Sequence, residues 1–338
     1  MKAIAYQQAL PITDPLSLQD VDLPEPTPGA RDLLVEVQAI AVNPVDTKMR
    51  LRSVPAEGEW AVLGWDAVGT VRAVGAQVTM FKPGDRVWYA GAINRPGANA
   101  QLHLVDERIA ALAPSSLSDA DAAALPLTAI TAWELLFERL QVREGKEDQG
   151  QSLLIVGAAG GVGSILVQLA RQLTGLTVIG TASRPETQAW VRQLGAHHVI
   201  DHRQPLSEEL KRIGIDQVTH VASLTQTDQH FAQLVEALAP QGRLALIDDP
   251  EQALDIMQLK RKSLSLHWEL MFTRSLFETA DMIEQHRLLQ RVAELVDAGT
   301  LHTTLGEHFG SINAANLRRA HALLESGTAK GKIVLEGF

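Results

Sequence analysis

The residues Gly157-Ala158-Ala159-Gly160-Gly161-Val162-Gly163 follow the apolar run Ser152-Leu153-Leu154-Ile155-Val156 without a break. Beyond them Val162, Ile165, Leu166, Leu169, Ala170 and Leu173 recur at helical spacing, which predicts a helix with one buried face. A strand, a tight turn and a helix in that order make a seat for a dinucleotide pyrophosphate. The leading N–H groups and the positive end of the helix face the anion. Missing side chains let the backbone approach it. Ala159, Gly160, Gly161, Val162 and Gly163 are the candidate cradle. The spacing is Ala158-x-Gly160-x-x-Gly163, with alanine where the usual fingerprint opens on glycine. Gly157 is expected to supply the missing flexibility. The chemistry this implies is hydride transfer with a nicotinamide cofactor.

The next strand indicates which nicotinamide cofactor. A site for NAD carries an acid about 20 residues past the glycines, at the end of the second strand. Here Thr177-Val178-Ile179-Gly180-Thr181 is followed by Ala182-Ser183-Arg184, and no acid stands there. Ser183 can donate a hydrogen bond and Arg184 can pair with a 2′-phosphate, the other reading of Arg184 being a solvated residue that opens the next helix. NADP(H) is therefore the expected cofactor.

The elements that must hold these residues fall into regions of different texture. Residues 1–123 read as short strands broken by Pro and Gly, such as Leu33–Val37 and Gly69–Val74. Residues 124–271 alternate strands and helices, with strands at 152–156, 177–181, 198–200, 217–222 and 243–247. That alternation predicts an α/β domain with a parallel sheet covered on both faces. Ser263–Trp268 alternates polar and apolar residues, as an edge strand does. From 272 a long helix is expected over Phe277, Ala280, Ile283, His286, Leu288, Val292, Leu295 and Val296. The tail ending in Lys332-Ile333-Val334-Leu335 cannot build its own core and is folded back onto the first region. The domains are thus 1–123 with 272–338, and 124–271.

Composition narrows the function classes. The 338 residues carry a formal net charge of −10, which argues against nucleic acid as the main partner. No apolar run approaches the roughly 18 residues that span a bilayer. Met1–Tyr6 lacks the apolar core of a signal peptide, so a cytoplasmic protein is expected. The chain has no cysteine, which excludes disulfides and every cysteine-ligated metal site.

Several ordered motifs together carry a family resemblance. They are Ala41-Val42-Asn43-Pro44-Val45-Asp46-Thr47-Lys48, Leu63-Gly64-Trp65-Asp66-Ala67-Val68-Gly69 and Lys82-Pro83-Gly84-Asp85-Arg86-Val87. Leu127-Thr128-Ala129-Ile130-Thr131-Ala132-Trp133, the glycine turn, Leu194-Gly195-Ala196 and Gly331-Lys332-Ile333-Val334-Leu335 complete the set. Over nearly its whole length the chain resembles the zinc-free quinone and enone reductases of the medium-chain dehydrogenase/reductase superfamily. The resemblance implies a GroES-like, β-rich catalytic domain made from both ends of the chain and a central Rossmann domain. It implies an active site in the cleft between them and a homodimer joined at the strands near 263–268. Zinc-dependent relatives carry a cysteine near Asn43–Asp46, a histidine near Trp65 and a further ligand near Leu127, none of which is present.

The resemblance assigns roles residue by residue. Asn43 and Asp46 stand where the family faces nicotinamide and substrate, with Asn43 placed to bond a substrate carbonyl or the cofactor; Asn before Pro and a capping Asp explain both residues equally well as turn chemistry. Trp65 lines the pocket or, as tryptophans commonly do, belongs to the core, with Asp66 beside it in a structural part. Thr131 matches a residue at the nicotinamide end. His202 stands where relatives carry a tyrosine near the adenosine phosphate. Its i, i+4 relation to His198 suggests no metal, because Val199-Ile200 reads as strand. Phe272 and Thr273 are placed to close over the cleft. Lys330 and Lys332 are placed to reach the cofactor, against the default of a solvated lysine, and Lys48 reads as a surface residue ahead of the alternative of assisting an enolate or a proton relay. The expected function is NADPH-dependent, zinc-independent reduction of a small-molecule carbonyl or quinone acceptor. The alternatives are a zinc-type alcohol dehydrogenase with an atypical site and a non-enzymatic NADPH-binding protein.

Overall fold

The computed structural model describes residues 1–338 and divides them into two compact units. One comprises Met1–Ile130 with Phe272–Phe338, the other Thr131–Met271. The first boundary, expected after residue 123, falls after Ile130, inside the helix Pro126–Trp133.

The first unit is built on a seven-stranded sheet. Its long strand Asp32–Val42 pairs antiparallel with Ala67–Val74 on one side and with Lys332–Glu336 on the other. The tail therefore does fold back onto the first region. Its residues Ile333, Val334 and Leu335 are fully buried there, and burying each apolar side chain is worth about 1.5–3 kcal/mol. The register sets Ile333 opposite Val42 and Ala67 opposite Ile40. One step outward, Lys332, Asn43 and Asp66 converge at the same end of the sheet. This geometry builds the site described below.

The expected helix after 272 is only partly present. Thr273–Leu276 forms one short turn and the long helix starts at Glu284. Glu278 sits in the left-handed region at φ 44°, which breaks the run, and Phe277 is left 71% exposed. From Leu288 onward the expected apolar face is buried.

The second unit is a six-stranded sheet in which every neighbouring pair is parallel. From one edge the strands run His198–Ile200, Thr177–Thr181, Ser152–Val156, Val218–Ser223, Leu238–Leu246 and Ser265–Trp268. The chain leaves Ser152–Val156 to one side and returns on the other, so the order reverses at that strand. In such sheets ligands bind outside the carboxyl ends of the strands at this switch point. Ser265–Trp268 is the outer strand, and Trp268 is 53% exposed. The stretch Asp119–Arg139 is apolar and long enough to cross a membrane, but 83% of its most apolar window is buried, as in a core helix.

Candidate active site

In the first unit, three strand ends bring four polar residues into one buried cluster. Asn43 caps the helix Pro44–Arg52, with Pro44 fitting the first helical position. The Asn43 N–H donates to Asp46 Oδ2 at 2.6 Å, which anchors the first helical turn. Asp66 precedes Ala67–Val74, where its own carbonyl accepts from Ala41 N at 3.2 Å. Asp66 Oδ1 accepts from Leu127 N and Oδ2 from Asn43 Nδ2, both at 2.8 Å. Lys332 Nζ donates to Val42 O at 3.0 Å, to Asp66 Oδ2 at 2.9 Å and to Asn43 Oδ1.

All four side chains are out of water: Asn43 and Asp46 are 1% exposed, Asp66 0% and Lys332 3%. Lys332 is thus neither a solvated lysine nor a free donor, since its three N–H groups have three acceptors in the protein. The Asn43 amide is likewise oriented from both ends, its oxygen on Lys332 and its nitrogen on Asp66. Burial pushes both carboxyls above the ordinary carboxylate range, Asp46 to about 7. The Asn43 N–H and Lys332 pull the Asp46 value back down, while the Asp66 charge adds to the rise. One ammonium faces two acids, and the acid that shares no hydrogen bond with it is Asp46. Asp46 Oδ1 has no hydrogen-bond partner. The cluster is therefore neutral when Asp66 is ionised against Lys332 and Asp46 holds a proton.

Trp65, also buried, donates from Nε1 to Ala92 O at 3.2 Å. Its ring meets Phe272 edge-on, with centroids 6.2 Å apart. Phe272 is packed on the tryptophan and Thr273 opens the short helix after it. Lys48 lies on the helix Pro44–Arg52 outside the cluster.

The second unit carries the glycine turn as the sequence implies. Gly157 is in the left-handed region at φ +81°, so the flexibility is where it was expected. Gly163 has no alternative: a Cβ there would stand 2.5 Å from Gly157 O and 2.6 Å from Ala158 Cα. The departure at Ala158 has a partner that sequence reading missed. A Cβ on Gly180 would come within 2.9 Å of Ala158 Cβ, so the bare Gly180 makes room for the alanine methyl. Gly160 caps the helix Gly161–Leu173 without any side chain over its first turn. Ala159, Gly161 and Val162 complete the turn and helix start, and Thr131 lies buried in the helix Pro126–Trp133.

At the carboxyl end of Thr177–Thr181, Ser183 precedes Arg184, which opens the helix Pro185–Gln193. Arg184 Nε lies 3.2 Å from Glu186 Oε1, and both side chains are exposed. A second cation, missed from the sequence, stands at the same loop. Arg203 pairs with Asp201 and donates to Ser183 O at 3.0 Å. Its signal was Asp201-His202-Arg203 directly after a strand. His202 lies in that turn, off any helix, against His230. A buried acid pair was also missed: Glu134 and Glu269, with Arg139 Nε 2.8 Å from Glu269 Oε2. Burial and the neighbouring Glu134 push Glu269 upward.

The first turn of the helix and the obligate Gly163 fit a dinucleotide pyrophosphate, and the two cations at the Ser183 loop each already face a carboxylate, Arg184 that of Glu186 and Arg203 that of Asp201. Zinc is a different case. No group of three His, Cys, Asp or Glu side chains could hold a metal. Asp46 and Asp66 are committed to N–H donors, with a lysine ammonium already on Asp66. The residues present do not fit a zinc site.

Comparisons with known proteins complete the description. Residues 29–114 match the model of the alcohol dehydrogenase GroES-like domain, and residues 194–335 that of the zinc-binding dehydrogenase family. A zinc-type alcohol dehydrogenase-like protein of Staphylococcus aureus is 39% identical over 336 residues, 99% of each chain. The crystal structure of a putative zinc-dependent alcohol dehydrogenase from Rhizobium etli superposes with a TM-score of 0.96 at 58% identity, over 100% of this chain and 98% of that one. Escherichia coli quinone oxidoreductase complexed with NADPH superposes with a TM-score of 0.84 at 25% identity, over 99% and 100%.

Proposed function

Because the chain belongs to the medium-chain dehydrogenase/reductase superfamily as a quinone-oxidoreductase-like member, we propose that it is an NADPH-dependent, zinc-independent reductase of quinones or α,β-unsaturated carbonyls. The observation that carries this reading is the Lys332–Asp66–Asn43 cluster. The chain's own ammonium neutralises the carboxylate there, and no donor set is left for a metal. Reduction of a simple ketone calls for a Lewis acid to stabilise the forming alkoxide. Quinones and enones need less help, because the electron pair that enters with hydride delocalises over the conjugated system.

Bound NADPH supplies the hydride; everything else is positioning by the protein. Ala159 to Gly163 hold the pyrophosphate through backbone N–H groups. Ser183 and Arg184 hold the 2′-phosphate, assisted by Arg203. Thr131 contacts the nicotinamide end. Asn43, Asp46 and Trp65 are buried and so back the acceptor pocket rather than touch the acceptor; the Asn43 amide, expected to bond a substrate carbonyl or the cofactor, is already committed to Lys332 and Asp66. Lys332 is a positioning residue that fixes Asn43. The proton that completes the reduction comes from water or from an acid that the chain does not single out.

The test is NADPH oxidation by metal-stripped enzyme across quinones, enals, enones and simple ketones, with NADH as the control. Turnover of quinones or enones with NADPH preferred supports the reading. Turnover only after zinc is restored, or only of simple ketones, overturns it. The same reading makes the chain a homodimer joined at Ser265–Trp268, supported by the open strand edge and by the half-exposed Trp268 and Leu270 beside it.

A further inference from the structure

His230 was not singled out by its sequence context, yet the fold sets it against His202. The two rings meet edge-to-face with centroids 6.2 Å apart and an interplanar angle of 72°. Each presents a buried Nδ1 with no hydrogen-bond partner. A buried polar atom without a partner costs about 1–3 kcal/mol, so two in one place call for an explanation.

Their place in the fold offers one. His202 follows His198–Ile200, which is the strand next to Thr177–Thr181. The turn holding it is tied to the Ser183 loop through the Arg203 guanidinium. His230 lies on the first turn of the helix Thr227–Ala237. That helix start is fixed: Thr227 N donates to Asp248 Oδ2 at 2.9 Å, and Thr227 Oγ1 bonds Ser223 Oγ at 2.8 Å. Gln226, just before it, is held in the left-handed region at φ 52°, a conformation costly for a glutamine and concentrated at functional positions. Both histidines thus stand at the carboxyl ends of the parallel strands, where a dinucleotide lies.

We infer that His202 and His230 form a proton-linked pair at the 2′-phosphate end of the cofactor site, so that binding NADPH takes up a proton. The inference rests on the NADPH reading above. The charged groups around the pair are few. Asp201 beside His202 is already paired with Arg203, and Glu209, which accepts from Asp201 N, is paired with Arg212. On the side of His230 the only acid acting on it is Asp228. Burial keeps both imidazoles below their ordinary range, with Arg203 adding to the drop at His202 and His202 adding to it at His230, while Asp201 and Asp228 oppose it. A phosphate dianion brought beside them reverses that balance and favours imidazolium. One proton can change affinity by up to about tenfold per pH unit.

The experiment is titration of NADPH and NADH into the intact protein between pH 6.5 and 8.5, above the ionisation of the 2′-phosphate itself near about 6. Cofactor fluorescence reports Kd. Calorimetry with 2′,5′-ADP in two buffers of different ionisation enthalpy reports protons taken up. The expected result is NADPH binding at least about threefold tighter at pH 6.5 than at 8.5, a flat NADH curve, and proton uptake approaching one. His202→Gln and His230→Gln should each flatten the NADPH curve. NADPH binding with no pH slope and no proton uptake overturns the inference and leaves the cofactor reading intact. A slope that survives in both variants also overturns it. A preference for NADH at every pH overturns the cofactor reading, and the inference with it.

Discussion

Lys332 and Asp66 form an ion pair that is entirely inside the protein, with Nζ 2.9 Å from Oδ2. Removing one member of a buried pair strands the other charge, at a cost of about 3–5 kcal/mol, whereas removing both is far milder. Lys332→Met and Asp66→Asn should each lower the urea midpoint strongly. The double variant should recover most of the loss. Strictly additive losses in this cycle would mean that the two charges do not depend on one another.

Asp46 makes stability depend on pH in a definite direction. Its folded pKa, about 7, lies above its ordinary value of 3.8. The folded state therefore holds a proton that the unfolded state releases. Stability from this group is full below about pH 4 and is lost as pH rises through about 7. Asp46→Asn removes this dependence. Melting temperatures from pH 4 to 8 should show a flatter profile for the variant, with a relative gain of a few degrees, roughly 2–4 °C, at the alkaline end. An unchanged slope would show that Asp46 is ionised in the folded protein throughout.

Gly180 and Ala158 are a matched pair. A methyl on Gly180 would meet Val191 Cγ1 at 2.6 Å and Ala158 Cβ at 2.9 Å. Gly180→Ala should destabilise by about 1–3 kcal/mol, the usual range for overpacking. Ala158→Gly in the same chain should restore part of it. Denaturant unfolding of the two single variants and the double variant checks this, and no rescue would place the strain wholly on Val191.

Gly163→Ala addresses the cofactor seat itself. The added Cβ would collide with the backbone of Gly157 and Ala158, which cannot swing aside as a side chain can. NADPH affinity should fall by at least about tenfold, or about 1.4 kcal/mol, as fluorescence titration would report. Affinity equal to the parent would rule out this turn as the pyrophosphate seat.

The open edge at Ser265–Trp268 sets the last expectation. Trp268→Glu puts a charge on the half-exposed rim of the outer strand. Sedimentation should show the parent as a dimer and the variant as a monomer with its secondary structure unchanged. A monomeric parent would remove the edge from the assembly altogether.

How far the sequence could be read depended on distance along the chain. The glycine turn and the strand–helix alternation were legible because their signals are periodic and local. Ile165, Leu166 and Leu169 mark their own helix face. The break at Glu278 was not legible, since apolar spacing from Phe277 onward suits a helix and only the backbone shows the left-handed residue. Lys332 was seen as a lysine near a strand and given the cofactor as its partner. Its true neighbours follow from strand register, with Asn43 289 residues away in sequence. His230 was hidden in the same way, because its neighbour His202 belongs to a different βα connection. The bare Gly180 opposite Ala158 shows the other side of the problem: a departure from a motif was visible, but its compensation lay in the next strand.

The separation of Lys332 from Asp66 by 266 residues also orders events during synthesis. At about 5–20 residues per second, the ribosome needs on the order of ten seconds to a minute to deliver the lysine after the aspartate. Throughout that interval Asp66 has no counter-ion, and the strand Asp32–Val42 lacks its neighbour Lys332–Glu336. The second unit is continuous in sequence and meets no such delay, so it can form while the first is still incomplete. The nascent chain thus passes through a state in which the dinucleotide seat exists before the wall built around Asn43.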